Sequence, residues 1–578
     1  MICRIIQLFR LSFLTDLDSE VDRTWPSKST DLTCRSRTGA FHSALTEIEC
    51  DMVADEVRIR PGVQIVCALL VCGCDECGNS ASSELTLAAD LVESTGELVA
   101  DDRGCRAGAG RPFESSDAPC ACWPGYGGSP DRCLDVDECA TEEPCPSGAE
   151  CVNTAGGFYC NCSANSCRSN VGWAISIGGS EEDSVNDVAV RDSSVAVVGT
   201  FGGQLPAPWS VESVDEFSDG FLTLFLNRAR VSTTRLGGAD LDRATAVTFT
   251  AGEILVTGEY REGFSHGART LRVGEYGRGG FVAAFDVDGS PGWARDLERI
   301  EDQVEVFQVA AAKDGGIYVG GRLGGLSGLP FCSRFSSDGE HEWITSLPGD
   351  GYVASLAVES GEVVIAGRFE GSLTVGSTEL ASAGGTDGFL VWLDSEGRVQ
   401  RGIRVGTSKS DALDAVALTA DGAVAAGFFG GQLEAAGRTH TAAGEADPFV
   451  MWVEPTGSIT RFQRIATSGL GRVMGVGARD DGMVVVTGSL SGELGTDPIT
   501  DVGGATQGFV VVVEPGGAIR NLAVLRSASI AHPRALALDG RRAWVGGLFR
   551  GNLDYPGGRL ATNGDADGFL VELALPAP

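Results

Sequence analysis

The sequence predicts an all-β protein, a seven-bladed β-propeller preceded by small disulfide-rich modules, and three observations carry that prediction. One motif recurs from about residue 172 to the end: Asp219-Gly220-Phe221-Leu222, Gly280-Phe281-Val282, Asp387-Gly388-Phe389-Leu390, Asp447-Pro448-Phe449-Val450, Gln507-Gly508-Phe509-Val510 and Asp567-Gly568-Phe569-Leu570. Its phenylalanines are spaced 60, 108, 60, 60 and 60 apart, and a weaker copy at Pro330-Phe331 fills the double gap. A second echo lies upstream in each unit, with glycines in register at Gly199, Gly258, Gly321, Gly367, Gly427, Gly488 and Gly547. Seven glycines count seven units, and repeats of this length built only of strands are propeller blades. The third observation is that 17 of the 18 cysteines precede residue 168.

The N-terminal region predicts export, because disulfide modules need an oxidising compartment. Arg10 interrupts the first apolar run, Ile5-Ile6-Gln7-Leu8-Phe9. A better signal lies inside, where Arg58-Ile59-Arg60 precedes an apolar stretch from Val63 to Cys74 that is too short to span a bilayer. Val71-Cys72-Gly73-Cys74 resembles a bacterial lipobox, which implies lipidation at Cys74. Residues 1–73 then form an extension plus signal, with the true start near Met52, and 74–103 a polar tether. An ordinary cleaved signal and a buried apolar strand are the other readings of the same run.

Next comes a cysteine-rich neck. Cys139, Cys145, Cys151, Cys160, Cys162 and Cys167 fall in a stretch too short to enclose a core, so disulfides must hold it. Counting alone leaves 15 connectivities open. The run Asp135-Val136-Asp137-Glu138-Cys139, followed by Cys151-Val152-Asn153-Thr154-Ala155-Gly156-Gly157-Phe158-Tyr159-Cys160-Asn161-Cys162, resembles a calcium-binding EGF-like module over 135–170. That resemblance implies pairing of Cys139 with Cys151, Cys145 with Cys160, and Cys162 with Cys167. It also implies Ca²⁺ held by side chains of Asp135, Glu138 and Asn153 and by backbone oxygens of Val136, Thr154 and Gly157, a hard-oxygen set suited to calcium. The alternative for these acids is a solvated linker. The last loop, from Cys162 to Cys167, is shorter than usual for the family. Upstream, Cys120-Ala121-Cys122-Trp123-Pro124-Gly125-Tyr126 and Cys133 resemble the second half of another, degenerate EGF-like module over 104–134. Its implied pairs are Cys105 with Cys120 and Cys122 with Cys133.

Residues 171–578 form the propeller. Each unit has short Val-, Ala- and Phe-rich runs separated by turn dipeptides such as Asp288-Gly289, Asp421-Gly422 and Asp481-Gly482. No segment sustains a helical apolar period, and four strands fit each unit. The first run of each unit uses small residues, as in Leu356-Ala357-Val358 and Val416-Ala417-Leu418, which suit strands crowded around an axis. After the Phe569 strand the last unit has no outer strand. Trp173-Ala174-Ile175-Ser176-Ile177 resembles one and is predicted to pair with the seventh blade, covering its open edge. The units resemble the SBBP-type β-propeller repeat of bacterial surface and secreted proteins, which implies the fold but no defined activity. The third unit departs from the pattern, being about ten residues short and lacking Asp-Gly.

The formal net charge of −35 argues against nucleic acid and anionic membrane as partners, since both need basic patches. The membrane enters only through the lipid anchor. Lysine is confined to Lys28, Lys313 and Lys409, which points to a GC-rich bacterial genome rather than to a function. Gly263-Phe264-Ser265-His266-Gly267 matches the nucleophile-elbow pattern but sits where a blade, not a strand–turn–helix, is expected. His42, His266, His341, His440 and His532 show no metal spacing, and Cys332 reads as a buried free thiol. No catalytic residue is assigned. The function expected is a non-enzymatic, exported, surface-anchored protein that displays its propeller to a protein or glycan partner, in the extracellular space, at the outer surface or in the periplasm. The alternatives are an exported propeller hydrolase or lyase acting on extracellular polymer, and a structural spacer.

Overall fold

The two sequence echoes turn out to be partners across one strand pair. Phe221 faces Gly199, Phe281 faces Gly258, Phe331 faces Gly321, Phe389 faces Gly367, Phe449 faces Gly427, Phe509 faces Gly488 and Phe569 faces Gly547. This computed structural model describes residues 171–578 apart from 216, 268, 274–276, 298–302, 360, 496–499 and 577–578. Before these it describes 109–110, 121–122, 126–129, 132–135, 140, 150–154 and 157–161.

Each repeat is a four-stranded antiparallel blade. Blade 5 is typical, running from its inner strand Ala412–Thr419 through Gly422–Phe429 and Asp447–Val453 to its outer strand Ile459–Arg464. The other inner strands are Ser184–Arg191, Arg243–Phe249, Val304–Ala311, Asp350–Glu359, Gly471–Ala478 and Ile530–Asp539. Blades 1 to 7 follow in chain order. The weak copy at Pro330-Phe331 therefore belongs to a full blade.

Every inner strand carries a one-residue bulge at the same place. The unpaired residues are Asn186, Thr245, Phe307, Ala354, Asp414, Met474 and Arg534. The bulge pushes a backbone carbonyl toward the second strand, and this explains the glycine. A Cβ at Gly427 would meet the Ala412 carbonyl oxygen, and one at Gly199 the Ser184 oxygen, both well inside the 3.0 Å that real Cβ contacts respect. At Gly199 the Phe221 ring occupies the remaining space.

Alternate residues of each blade face opposite neighbours, as strand geometry requires. Val485, Val510 and Val512 pack toward blade 7, while Val484, Val486 and Val511 pack toward blade 5. Among the described residues, seven apolar clusters lie one between each pair of adjacent blades, and a small eighth joins Ala412, Phe428 and Ala446. One of them joins Trp544 and Leu570 of the last blade to Val197 and Phe221 of the first. Closure is by the predicted strand. Val171–Ile177 pairs antiparallel with Asp567–Ala574, Ser176 opposite Phe569 and Trp173 opposite Glu572.

Between the second and third strands of most blades the Gly-x-Leu segment projects as a hairpin, for example Gln432–Ala435 with Arg438–Thr441. Leu205, Leu373, Leu433, Leu494 and Leu553 anchor these hairpins by burial. In blade 3 a single 3-10 turn, Gly325–Ser327, stands in their place, so the residues missing from the third unit are its hairpin. The motif aspartate ties hairpin to blade. Asp447 accepts from the backbone N–H of Ala443 (2.8 Å) and of Thr467 (3.2 Å), and Asp567 from Asn563 N–H (3.0 Å) and Ser176 Oγ (2.9 Å).

A second buried aspartate stands beside the motif one at some blade junctions. Asp242 accepts from Gly238 N–H (2.6 Å) and Arg261 N–H (3.0 Å). Burial, with the neighbouring Asp219 charge adding to it, pushes its carboxyl up to about 8, against the two backbone donors. Asp183, near Asp567, is likewise pushed up to about 8 by burial.

Two outcomes follow from this packing. Gly427→Ala should cost about 2 kcal/mol through overpacking, whereas Gly252→Ala, whose Cβ would meet nothing within 4 Å, should stay within about 0.5 kcal/mol; denaturant unfolding measures both. The folded carboxyl of Asp242 lies above its ordinary value of 3.8. The stability it adds is therefore complete below that value and is lost as pH rises through about 8. Melting temperature should fall between about pH 4 and about pH 8, and Asp242→Asn should flatten that slope. An unchanged slope refutes the assignment, whatever the amide costs at low pH.

Candidate functional site

In the neck, the described backbone forms two short strand pairs. Glu150–Thr154 and Gly157–Asn161 form an antiparallel hairpin with Cys151 opposite Cys160, Asn153 opposite Phe158 and Thr154 opposite Gly157. Three of the six expected calcium positions, Asn153, Thr154 and Gly157, thus meet at the turn end of one hairpin. Asp135 ends the strand Arg132–Asp135, which pairs with Tyr126–Ser129. Val136 and Glu138 lie outside the described residues, as do Cys74, Cys105, Cys120, Cys139, Cys145, Cys162 and Cys167. Cys122, Cys133, Cys151 and Cys160 are described by backbone position only. Among the described residues, no group of three or more His, Cys, Asp or Glu side chains is placed to hold a metal.

In the propeller, the bulges build a second site. They direct residues of the inner strands into the central channel, where a cavity of about 290 Å³ is lined by Phe307, Ala354, Asp414, Met474 and Arg534 from the bulges themselves. Gln308, Tyr352, Arg368 and Arg472 complete the lining. The Phe307 and Tyr352 rings meet edge to face at 5.4 Å, and the Arg368 guanidinium lies 4.7 Å from the Tyr352 ring centre. Arg472 lies 5.1 Å from the Phe428 ring.

The channel charges are unbalanced. Arg534 donates to Asn186 Oδ1 (2.7 Å) and Ser184 Oγ (3.2 Å), both neutral acceptors. Among the described residues, no carboxylate forms an ion pair within 4.0 Å of Arg368 or Arg472. Asp414 is pushed up to about 6 by burial, with the Arg368 and Arg472 charges opposing the rise. His532 is held down at about 4 by burial and by Arg534 and Arg472, so it stays neutral at physiological pH. Three guanidinium groups therefore share a cavity with one carboxylate.

Beside this, blades 2 and 3 carry a compensated cluster. Arg278 bridges Glu305 (2.6 Å) and Glu259 (3.4 Å), and Arg322 Nε donates to Glu305 (2.7 Å). Burial pushes Glu259 up to about 7 although Arg243, Arg278 and Arg322 oppose it.

The elbow-like sequence is a plain hairpin. Gly263–His266 pairs with Arg269–Arg272, Ser265 is exposed, and His266 is buried against Phe264 with Nε2 3.1 Å from the Ala284 carbonyl. Burial lowers the affinity of His266 for a proton. Ser265 and His266 thus lie on opposite faces of one strand, and the motif makes no nucleophile–base pair. Cys332 is a buried free thiol, its pKa raised by burial.

Sequence reasoning missed the channel. Only Arg368 had a signal, in the column between the motif glycine and the following aromatic or leucine: Thr200, Glu259, Arg322, Arg368, Phe428, Ser489 and Leu548. Those residues vary widely while their neighbours repeat.

Comparison with known proteins separates the two regions. Residues 135–172 match the calcium-binding EGF domain, so the chain carries a domain of that type in its neck. Human thrombomodulin is 39% identical over 84 residues, covering 12% of this chain and 14% of that protein. Thrombomodulin of Bos taurus is 36% identical over 121 residues, covering 18% and 32%. Vacuolar-sorting receptor 6 of Arabidopsis thaliana is 45% identical over 47 residues, covering 8% and 7%. The chain thus spans under a third of the length of these relatives. Among solved structures, the β-propeller domain of the Trilobed protease from Pyrococcus furiosus is 10% identical with a TM-score of 0.38, covering 69% of this chain and 97% of that one. The Neurospora crassa Pan2 WD40 domain is 10% identical with a TM-score of 0.37, covering 68% and 90%. The seven-bladed architecture rests on the strand pairing itself, and a calcium-binding EGF domain precedes it.

Proposed function

We propose that this chain is a non-enzymatic extracellular binding protein, in which a calcium-stiffened EGF neck displays a seven-bladed propeller to a protein or glycan partner. The observation that carries this reading is a calcium-binding EGF domain at 135–172 leading directly into the strand that closes the ring. EGF domains of this kind need disulfides, and therefore an oxidising compartment. Calcium would bind through Asp135, Glu138 and Asn153, with carbonyl oxygens of Val136, Thr154 and Gly157, and would order the junction between the two disulfide modules. Attachment to a membrane through a lipid on Cys74 is part of the proposal, supported by the basic-then-apolar run ending at that residue.

Titrating the full chain with Ca²⁺ by calorimetry should show one site with Kd of roughly 10⁻⁴ to 10⁻³ M, the range of extracellular modules. Asn153→Ala removes a side-chain oxygen without touching a cysteine and should weaken that site while the ring melts unchanged. Calcium should also protect the neck from proteolysis. A wild-type chain that takes up no calcium in that range, or an Asn153→Ala chain that binds as well, overturns the calcium reading. Mass spectrometry of the native protein tests the anchor, with a lipidated N-terminus at Cys74 as the expected result and an unmodified N-terminus elsewhere as the contrary one.

A further inference from the structure

We propose that the propeller channel binds an acidic sugar residue of the hexuronate class, its carboxylate on the guanidinium groups of Arg368 and Arg472 and its ring against Phe307 and Tyr352. The inference rests on the reading of the propeller as a binding module and names the chemistry of its channel ligand.

Four observations select that class. The channel holds Arg368, Arg472 and Arg534 against the single carboxylate of Asp414, in a chain whose formal net charge is −35. Arg368 is half-buried and Arg472 is exposed to the channel; among the described residues neither has a carboxylate ion-pair partner, and the planar fork of a guanidinium is matched to a carboxylate. The surplus is also local, since salt screens charge beyond about 8 Å; the acidic exterior therefore disfavours a polyanion but not one anionic group inside the ring.

Size is the second constraint. A cavity of about 290 Å³ takes one ring and a few waters rather than a length of polymer. The third is the aromatic wall on blades 3 and 4, where Phe307 and Tyr352 line the cavity with Arg368 lying over the Tyr352 ring, while Arg472 and Arg534 stand across from them on blades 6 and 7. The fourth separates a sugar from an aromatic acid. Gln308, Tyr352 and Asp414 bring both donors and acceptors to the same cavity, which ring hydroxyls would match and an apolar body would not.

The test is calorimetry on the full chain with glucuronate, glucose and benzoate, each in the same buffered salt. Glucuronate should bind saturably and at least about tenfold more tightly than glucose, for want of the charge-assisted pair in the neutral sugar. It should also bind more tightly than benzoate. Arg472→Gln should weaken glucuronate about tenfold. Asp414→Asn removes the one opposing charge and should tighten it about threefold. If Arg472→Gln fails to fold, Asp414→Asn decides the matter, because the two act in opposite directions. No saturable heat for glucuronate up to about 10 mM, equal binding of glucose, preference for benzoate, or an Asp414→Asn chain that melts normally and binds glucuronate no better each overturns the proposal. Calcium uptake by the neck is read in a separate titration, so failure of the channel leaves that reading standing, and failure of the neck leaves the channel assignment standing.

Discussion

The bulge in each inner strand is the constraint on which the rest of the ring depends. It drives a carbonyl oxygen against the second strand at the point where only glycine leaves room, and the phenylalanine of the third strand covers that glycine from the other side. Bulges sharpen local twist, and here one stands at the same place in every inner strand. Each blade offers one apolar face to each neighbour, and the seven inter-blade clusters fill those faces. In blades 3 to 7 the same bulge sets its residue into the lining of the channel cavity. Packing and binding chemistry thus have a common origin, and the residue released from pairing is free to vary.

Much of the architecture was legible because its causes are local and repeated. The glycine and phenylalanine columns give the blade count, and the stray strand around Trp173 gives the closure, now paired residue for residue with the Phe569 strand. The shortened third unit was visible as missing length, although only the structure identifies the loss as the hairpin after Leu323. Asp-Gly turns fall where expected, with Gly289 and Gly482 at φ values of 88° and 81° that favour glycine. In the neck, Asn153, Thr154 and Gly157 were named by the resemblance to a calcium-binding EGF-like module, and the hairpin register brings their backbone positions to one turn.

The channel was not legible, for a geometric reason. Arg368 comes from a second strand, Arg472 from an inner strand before its bulge, and Arg534 from a bulge itself. They occupy three different columns of the repeat, so no alignment of the units brings them together. Nor do the bulged residues share a chemistry, since Asn186, Phe307, Asp414 and Arg534 have nothing in common but position. Only closure of the ring places them around one cavity. The acidic composition pointed away from an arginine-lined interior, because formal charge sums over the surface and is silent about the axis.

The closing strand also sets a clock on biosynthesis. Ser176 and its partner Asp567 are 391 residues apart in the chain. At the usual pace of ribosomes, roughly 5–20 residues per second, the second appears some 20–80 s after the first. Throughout that interval the earliest strand of the propeller has no sheet to join, and the first blade has no last blade to lean on. Six finished blades would present an apolar face at each end of an open arc, Val197 and Phe221 on one side among them. Wherever blades form in the order they emerge, the chain passes through a sticky, incomplete ring, and helper proteins that shield such faces or hold the chain open until it is whole would govern its yield.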